Sequence, residues 1–294
     1  MKEIVLITGN SGSLAKLVKQ KLADKYQIKT LTTNKKKADN KSVFYWNISE
    51  KNMNKNAISN CTHIIHLAGY PIINKWSKKN KQLMFESRIE GAKLLFSKCE
   101  EFNIKPKTFI SASAIGYYGL ESTGHKTEKS EKGNDWVAEL VDSWEHSADN
   151  FKKLNCRVIK MRISLLMSKK TAFLKYNILS IKFGIGLILG NKNRKISWIH
   201  IDDTAKFIQN AIQKNNYSGT YNLATENNIT EIELIKILRK KYCSCALIIN
   251  MPFIIIKLLI GERSKIINTN YTVCVDKLKK NNFQWRYEKF DDIL

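Results

Sequence analysis

Ile4-Val5-Leu6-Ile7-Thr8-Gly9-Asn10-Ser11-Gly12-Ser13-Leu14-Ala15 is the stretch that decides the fold. A short apolar run with the length of a buried strand ends at Thr8. Gly9 and Gly12 then open a helical pattern that runs through Lys16-Leu17-Val18 toward Leu22. This strand–glycine turn–helix unit is the one that seats a dinucleotide pyrophosphate. Glycine lets the backbone turn tightly and approach the phosphates, and the positive end of the helix favours their charge. The spacing is Gly-x-x-Gly-x-x-Ala. Ala15 stands where a third glycine is usual and still permits close helix–strand packing. A plain turn rich in small residues is the alternative. The position straight after such a strand favours the cofactor.

Outward from that unit, apolar runs alternate with helix-length amphipathic segments. Strands are expected at 3–8, 28–32, 42–46, 62–68, 107–113 and 157–163, with a further short one over Gly219–Ala224. Helices are expected at 13–24, 76–102, 136–153 and 202–214. That alternation predicts an α/β fold with a doubly wound parallel sheet. After residue 165 the pattern loosens. A helix near 172–183 leads into a turn-rich Gly184-Ile185-Gly186, and 230–294 reads as two or three helices. The expected organisation is a nucleotide-binding domain over 1–165, with 200–224 returning to it. A smaller substrate-side region follows over 166–294.

The 294 residues carry a formal charge of +24. Of the 50 basic residues only seven are arginine. Asparagine and isoleucine are also abundant, as an A/T-biased coding sequence would produce. The lysines are scattered, with short clusters at Lys35–Lys37, Lys78-Lys79 and Lys240-Lys241. They read as solvated faces, with no specific nucleic-acid partner and only weak, salt-sensitive adhesion to polyanions. The six cysteines show no metal-ligand framework, since Cys243-Ser244-Cys245 is too closely spaced for a zinc knuckle. Reduced thiols in a cytoplasmic protein are expected. The apolar segment Ala246–Ile260 is broken by Asn250, Pro252 and Lys257, so no membrane span is expected there. A packed strand and helix is the reading.

Several blocks stand in order along nearly the whole chain. They are the glycine turn, His66-Leu67-Ala68-Gly69, Ser87-Arg88, Ile110-Ser111-Ala112-Ser113-Ala114-Ile115-Gly116-Tyr117-Tyr118-Gly119, Trp144-Glu145, and Ser197-Trp198-Ile199-His200-Ile201-Asp202-Asp203. Tyr221-Asn222-Leu223, Leu258-Leu259-Ile260-Gly261-Glu262 and Phe283-Gln284-Trp285-Arg286-Tyr287 complete the series. Together they resemble the extended short-chain dehydrogenase/reductase superfamily of nucleotide-sugar epimerases and dehydratases. More narrowly, they resemble its atypical branch named epimerase family protein. The resemblance implies a Rossmann-type sheet with a smaller C-terminal substrate-side lobe. It also implies a cofactor site built from Gly9, Asn10, Ser11, Gly12, Leu14, Thr32, Thr33, Lys35, Leu67, Ala68, Gly69, Arg88 and Leu165.

Cofactor choice follows from charge. An acid at the end of the second strand would accept from the ribose hydroxyls of NAD and repel a 2′-phosphate. Here that strand ends Leu31-Thr32-Thr33-Asn34-Lys35-Lys36-Lys37, without an acid. NADP is therefore expected over NAD. Thr33 replaces the family's usual arginine, so Lys35 or Lys36 would supply the charge. Asn47 stands where relatives often carry an aspartate near the adenine.

Catalytic relatives pair a serine, here Ser113, with a tyrosine and a lysine four residues later. In this chain Trp136 and Leu140 occupy those two positions. Indole does not exchange a proton at neutral pH and leucine supplies no cation. The remaining candidates are Ser113 to orient a substrate oxygen, and Tyr117 or Tyr118 to handle its proton. His200 reads as structural, and Asp202-Asp203 as caps of the following helix. Two functions remain open. One is an oxidoreductase or epimerase, monomeric or homodimeric, acting on an unassigned small molecule. The other is a nucleotide-sensing regulator without turnover, a role some members of the branch have been named for in connection with cell division.

Overall fold

The computed structural model describes residues 2–294. Its main sheet is built from β1 (Ile4–Ile7), β2 (Gln27–Thr32), β3 (Val43–Asn47), β4 (Asn52–Met53), β5 (Cys61–His66) and β6 (Thr108–Ala114), with strands Arg157–Ile163 and Gly219–Leu223. The eight lie in the order Gly219–Leu223, Arg157–Ile163, β6, β5, β1, β2, β3, β4. β1 runs parallel to both β2 and β5, while the short β4 turns back antiparallel on β3. From β1 the chain builds outward through β2 and β3, then crosses over to β5 and β6. The ends of β1 and β5 therefore flank a topological switch point, where open α/β sheets hold their ligands.

Between the strands come α1 (Ser13–Leu22), α2 (Lys55–Ile58), α3 (Lys78–Phe85), α4 (Gly91–Glu101) and α5 (Trp136–Asp149). α1 buries Ala15, Val18 and Leu22, one stripe at helical spacing. The expected continuous helix over 76–102 is interrupted by a wider π-turn at Glu86–Glu90 that carries Arg88. The α5 N-terminus is set by Asp135, whose carboxylate accepts from the Val137 and Ala138 backbone N–H groups.

The chain divides into two compact units. The first comprises 1–114, 139–162 and 204–221; the second comprises 115–138, 163–203 and 222–294. The second thus takes in 115–138, ahead of the boundary expected near 165. It contains α6 (Ala172–Lys182), α8 (Glu231–Tyr242) and α9 (Phe253–Ile260), and α7 (Ile201–Gln213) begins in it. Its strands are paired two by two, as in Ile185–Leu189 with Leu247–Met251. A core of Leu174, Ile181, Ile188, Trp198, Leu234, Ile235 and Leu238 is fully buried. Two expectations change here. Ile185 and Gly186, read as part of a turn-rich stretch, open the strand Ile185–Leu189. Asp202 and Asp203, expected as caps ahead of the helix, lie within the first turn of α7. Asp203 is buried and accepts instead from the Arg286 and Tyr287 backbone N–H groups, which anchors the C-terminal segment.

The glycine turn is tied to its neighbours by one polar chain. The Thr8 hydroxyl accepts from the Leu67 and Ala68 backbone N–H groups, each at 3.0 Å. Its own proton points to His66 Nδ1 at 2.9 Å, so His66 carries its proton on Nε2 and donates to the Arg88 carbonyl at 3.0 Å. Burial drives the His66 pKa down to about 4, so the ring is neutral. An unfolded histidine titrates near 6.5, so the unfolded chain binds this proton first as pH falls. Stability from His66 is complete above about pH 6.5 and is lost progressively down to about 4. Denaturant unfolding of wild type and His66→Gln at pH 7.5 and 5.0 checks this. Wild type is expected to lose about 2 kcal/mol more than the variant between the two conditions. Equal losses would contradict the assignment.

Candidate functional site

A cleft of about 450 Å³ opens at the ends of β1, β2 and β5 in the first unit. Its walls bring together Gly9, Asn10, Ser11, Thr32, Thr33, Ala68 and Gly69 from the expected cofactor set. Trp46, Ile48, Ser49, Leu83 and Glu86 also line it and had no individual signal in the sequence, and Ser87 of the Ser87-Arg88 block joins them. Asn47, singled out as a departure from the family pattern, lines it too, as does Tyr70. Gly12, Leu14, Lys35, Leu67 and Arg88 lie outside this lining. Leu165 sits on the strand Leu165–Met167 of the second unit.

The floor of the cleft depends on backbone meeting backbone. Gly9 has φ +75°, and a Cβ there would stand 2.9 Å from the Leu67 carbonyl carbon and oxygen. Any side chain would push the turn off the end of β5. Gly12 is the N-cap of α1, with no side-chain cap and no acid in the first turn. A turn closed by the Gly12 N–H to the Gly9 carbonyl at 2.9 Å precedes this bare helix end. Backbone donors and the helix dipole there favour an anion, so the turn fits a pyrophosphate.

At the far side, the Thr32 hydroxyl accepts from the Asn34 N–H, and Asn34 Oδ1 accepts from the Lys36 N–H. These bonds shape an exposed turn over Lys35–Lys37. The next acid along the chain, Asp39, is exposed and engaged by its own loop. Its carboxylate accepts from the backbone N–H groups of Lys41, Ser42 and Val43, which hold its pKa well below the ordinary range. The end of β2 itself therefore carries hydroxyls and cations, and the carboxylate in the cleft lining, Glu86, comes from the π-turn.

Arg88 braces the loop after β5. Its Nη1 donates to the Tyr70 and Met84 carbonyls at 2.9 and 3.1 Å, and its guanidinium lies 5.0 Å from the Trp144 ring centre. Burial lowers its pKa to about 10, so it remains a cation. A Cβ on Gly69 would stand 3.0 Å from the Arg88 Cζ, so glycine leaves room for this brace.

Ser113 lies near the end of β6 and is buried. Its hydroxyl donates to Glu145 Oε1 at 2.6 Å. Glu145, on α5, is held by Arg162 from the neighbouring strand: Nε to Oε1 at 2.7 Å and Nη2 to Oε2 at 2.9 Å. All three side chains are buried. Lys160 lies 3.9 Å from Glu145 Oε2 and pairs with Asp149 at 2.8 Å. Ser113 thus sits on a carboxylate whose charge is matched by a guanidinium in fork geometry. Trp144-Glu145 stood out in the sequence, but nothing there linked it to Ser113.

The two tyrosines differ. Tyr118 is buried, and its hydroxyl lies 2.6 Å from Asn222 Oδ1 and 3.0 Å from the Thr127 carbonyl. Asn222 is oriented by its own amide, which donates to the Lys126 and Cys274 carbonyls. That environment is a core network and argues against proton transfer by Tyr118. Tyr117 is half-buried and meets Tyr118 edge-on. His200 is buried, accepts from the Asp202 N–H on Nδ1, and stacks on Tyr287 at 3.7 Å. Burial lowers its pKa. These contacts are structural ones.

Known proteins share this architecture. The NAD dependent epimerase/dehydratase family matches residues 5–224. An Arabidopsis thaliana protein described as epimerase family protein SDR39U1 homolog, chloroplastic, is 29% identical over 297 residues, spanning 99% of this chain and 85% of its own. Epimerase family protein SERP0438 of Staphylococcus epidermidis is 28% identical over 295 residues, covering 98% and 97%. Among solved structures, human epimerase family protein SDR39U1 with NADPH superposes with a TM-score of 0.83 at 19% identity, over 99% of this chain and 97% of that one. UDP-glucose 4-epimerase of Thermotoga maritima gives 0.79 at 16% identity, over 99% and 96%. The family match spans well over half of the sequence and includes the glycine turn, the Ser113 strand and the Glu145 helix, and so this chain belongs to the NAD dependent epimerase/dehydratase family.

Proposed function

We propose that the chain binds NADP in preference to NAD and uses it for oxidoreduction or epimerisation of a small molecule bearing a hydroxyl or carbonyl. The observation that carries the cofactor choice is the acid-free end of β2, where Thr32 and Thr33 line the cleft and Lys35–Lys37 follow. Gly9, Asn10, Ser11, Gly12 and Leu14 are assigned to the pyrophosphate, and Lys35 to a 2′-phosphate. The NADPH in the human relative supports the same reading. Bound NADP supplies a hydride acceptor, and NADPH a hydride donor.

The proton is assigned to Ser113 and Glu145. In the oxidative direction, a substrate hydroxyl donates to Ser113 Oγ. The substrate O–H bond breaks as its proton reaches Oγ, and the serine's own proton passes to Glu145 Oε1 along the existing 2.6 Å bond. Reduction runs the same transfers in reverse. Arg162 fixes the carboxylate in place throughout. This relay stands in for the tyrosine and lysine that Trp136 and Leu140 replace.

Calorimetry should give tighter binding for NADPH than for NADH. Thr33→Asp, which places an acid in the cleft wall, should weaken NADPH by about tenfold or more and leave NADH within a few-fold. Equal affinities in wild type would remove the NADP assignment.

A screen of NADPH oxidation against aldehydes, ketones and nucleotide sugars tests the relay. Ser113→Ala and Glu145→Gln should each lower turnover by about a hundredfold or more, while Tyr118→Phe lowers it only through stability. NADPH affinity should survive in Ser113→Ala. Full activity in Ser113→Ala would overturn the relay. Tight NADPH binding with no turnover of any substrate would favour the sensing role.

A further inference from the structure

The second unit exposes an apolar face where a soluble surface would be polar. The strands Ile185–Leu189 and Leu247–Met251 run parallel, with Ile185 opposite Leu247 and Leu187 opposite Ile249. Directly paired residues point to the same side, so these aliphatic side chains share one face of the sheet. The other face is the packed one: a Cβ on Gly186 would stand 2.8 Å from Ile235 and 2.9 Å from Ile181. On the first face, Leu247 is 69% exposed and Ile249 44%.

The chain then turns at Pro252 into α9, Phe-Ile-Ile-Ile-Lys-Leu-Leu-Ile. Only Ile256 of this helix is buried. Ile254, Ile255, Leu258 and Leu259 occupy a continuous arc at helical spacing, and all four face solvent, Leu258 at 86%. A surface helix ordinarily turns such an arc inward. The reading of Ala246–Ile260 as a packed strand and helix is therefore corrected: the elements form, but their apolar side is not packed.

Charge selects the occupant. Residues 169–195, which lead into and through the first strand, hold seven basic residues and no acidic one. Residues 240–265 hold five basic residues and one acidic. Lys182 flanks the exposed Phe183, and Lys257 projects from α9 itself; both are exposed. A second copy would bring the same cations against themselves, on a chain of net charge +24. The exposed arc of α9 and the paired sheet residues are isoleucine and leucine, without the tryptophan, tyrosine or arginine anchors that concentrate energy at protein interfaces. Aliphatic side chains with lysines at their margin match an anionic lipid surface. The chains enter the acyl boundary while the ammonium groups stay at the headgroups. Eight helical residues extend about 12 Å. That is enough to lie in the interface. Among the described residues no helix is long and apolar enough to cross a membrane.

We propose that the face formed by the strands Ile185–Leu189 and Leu247–Met251 with α9 docks the protein peripherally on anionic membrane surfaces. Flotation of the full chain with vesicles tests this, using phosphatidylcholine alone and equal parts phosphatidylcholine and phosphatidylglycerol at physiological salt. Wild type is expected to float with the anionic vesicles and not with phosphatidylcholine alone. The double variant Ile254→Ser, Leu258→Ser is expected to lose about tenfold or more of that binding. Both side chains are exposed, so its thermal unfolding should match wild type. Three results would overturn the proposal. One is no flotation of wild type with anionic vesicles. Another is undiminished flotation of the folded double variant, which would leave the lysines acting alone. The third is a dimer in sedimentation velocity that the double variant abolishes, without vesicle binding.

Discussion

The architecture around the cleft depends on one contact that admits no side chain. Gly9 lies against the Leu67 carbonyl so closely that a single methyl group would collide with backbone. Such an approach is useful only if both partners are held still. The Thr8 hydroxyl does this by accepting from Leu67 and Ala68 at once. Because both lone pairs are then engaged, its proton must go elsewhere, and His66 receives it. His66 in turn fixes the carbonyl of Arg88, whose guanidinium holds the Tyr70 carbonyl. The turn after β1, the loop after β5 and the π-turn between α3 and α4 thus become one rigid frame.

A neutral histidine is the right element for this frame. A charged ring would place two donors where Thr8 needs an acceptor. It would also add a cation near the Arg88 guanidinium, which lowers the His66 pKa further by repulsion. The same logic, with opposite sign, runs through Glu145. A buried carboxylate without a partner would be costly, and Arg162 meets it with two N–H groups in one plane. Ser113 takes the remaining claim on Oε1. Ser113, Glu145 and Arg162 thus form one paired polar cluster in the first unit.

Local patterns in the sequence carried the framework well. The strand and helix expectations in the first unit correspond to β1, β2, β3, β5, β6, α1 and α5, because the central strands are continuous runs buried on both faces and α1 carries a stripe at period 3.6. The residues of the glycine turn and of the ends of β2 and β5 were legible because strand ends converge by topology. Side-chain partnerships were not. Ser113, Glu145 and Arg162 come from three elements up to 49 residues apart, and no local periodicity connects them. Thr8 and His66 are farther apart still, at 58 residues, and each reads alone as an ordinary strand residue. The break in the 76–102 helix at Glu86–Glu90 holds no proline or glycine within it, with Gly91 just after, and it carries Arg88, whose guanidinium donates to the Tyr70 carbonyl.

Ala246–Ile260 failed for a different reason. Hydrophobicity measures the free energy of leaving water, and it says nothing about what a side chain leaves water for. A run of isoleucine and leucine is the same in a core and on an unpartnered face, and the usual inference to burial assumes that the fold supplies a cover. Here one sheet face is packed on α6 and α8, and the opposite face and the exposed arc of α9 are left in solvent. Leaving so many aliphatic groups wet weakens the isolated protein relative to a covered one. Lysines at its margin keep such a surface soluble by repulsion between copies. The same lysines make an anionic surface attractive. The lysines that read as a compositional bias when taken residue by residue acquire a physical role where, as at Lys182 and Lys257, they stand beside exposed apolar side chains.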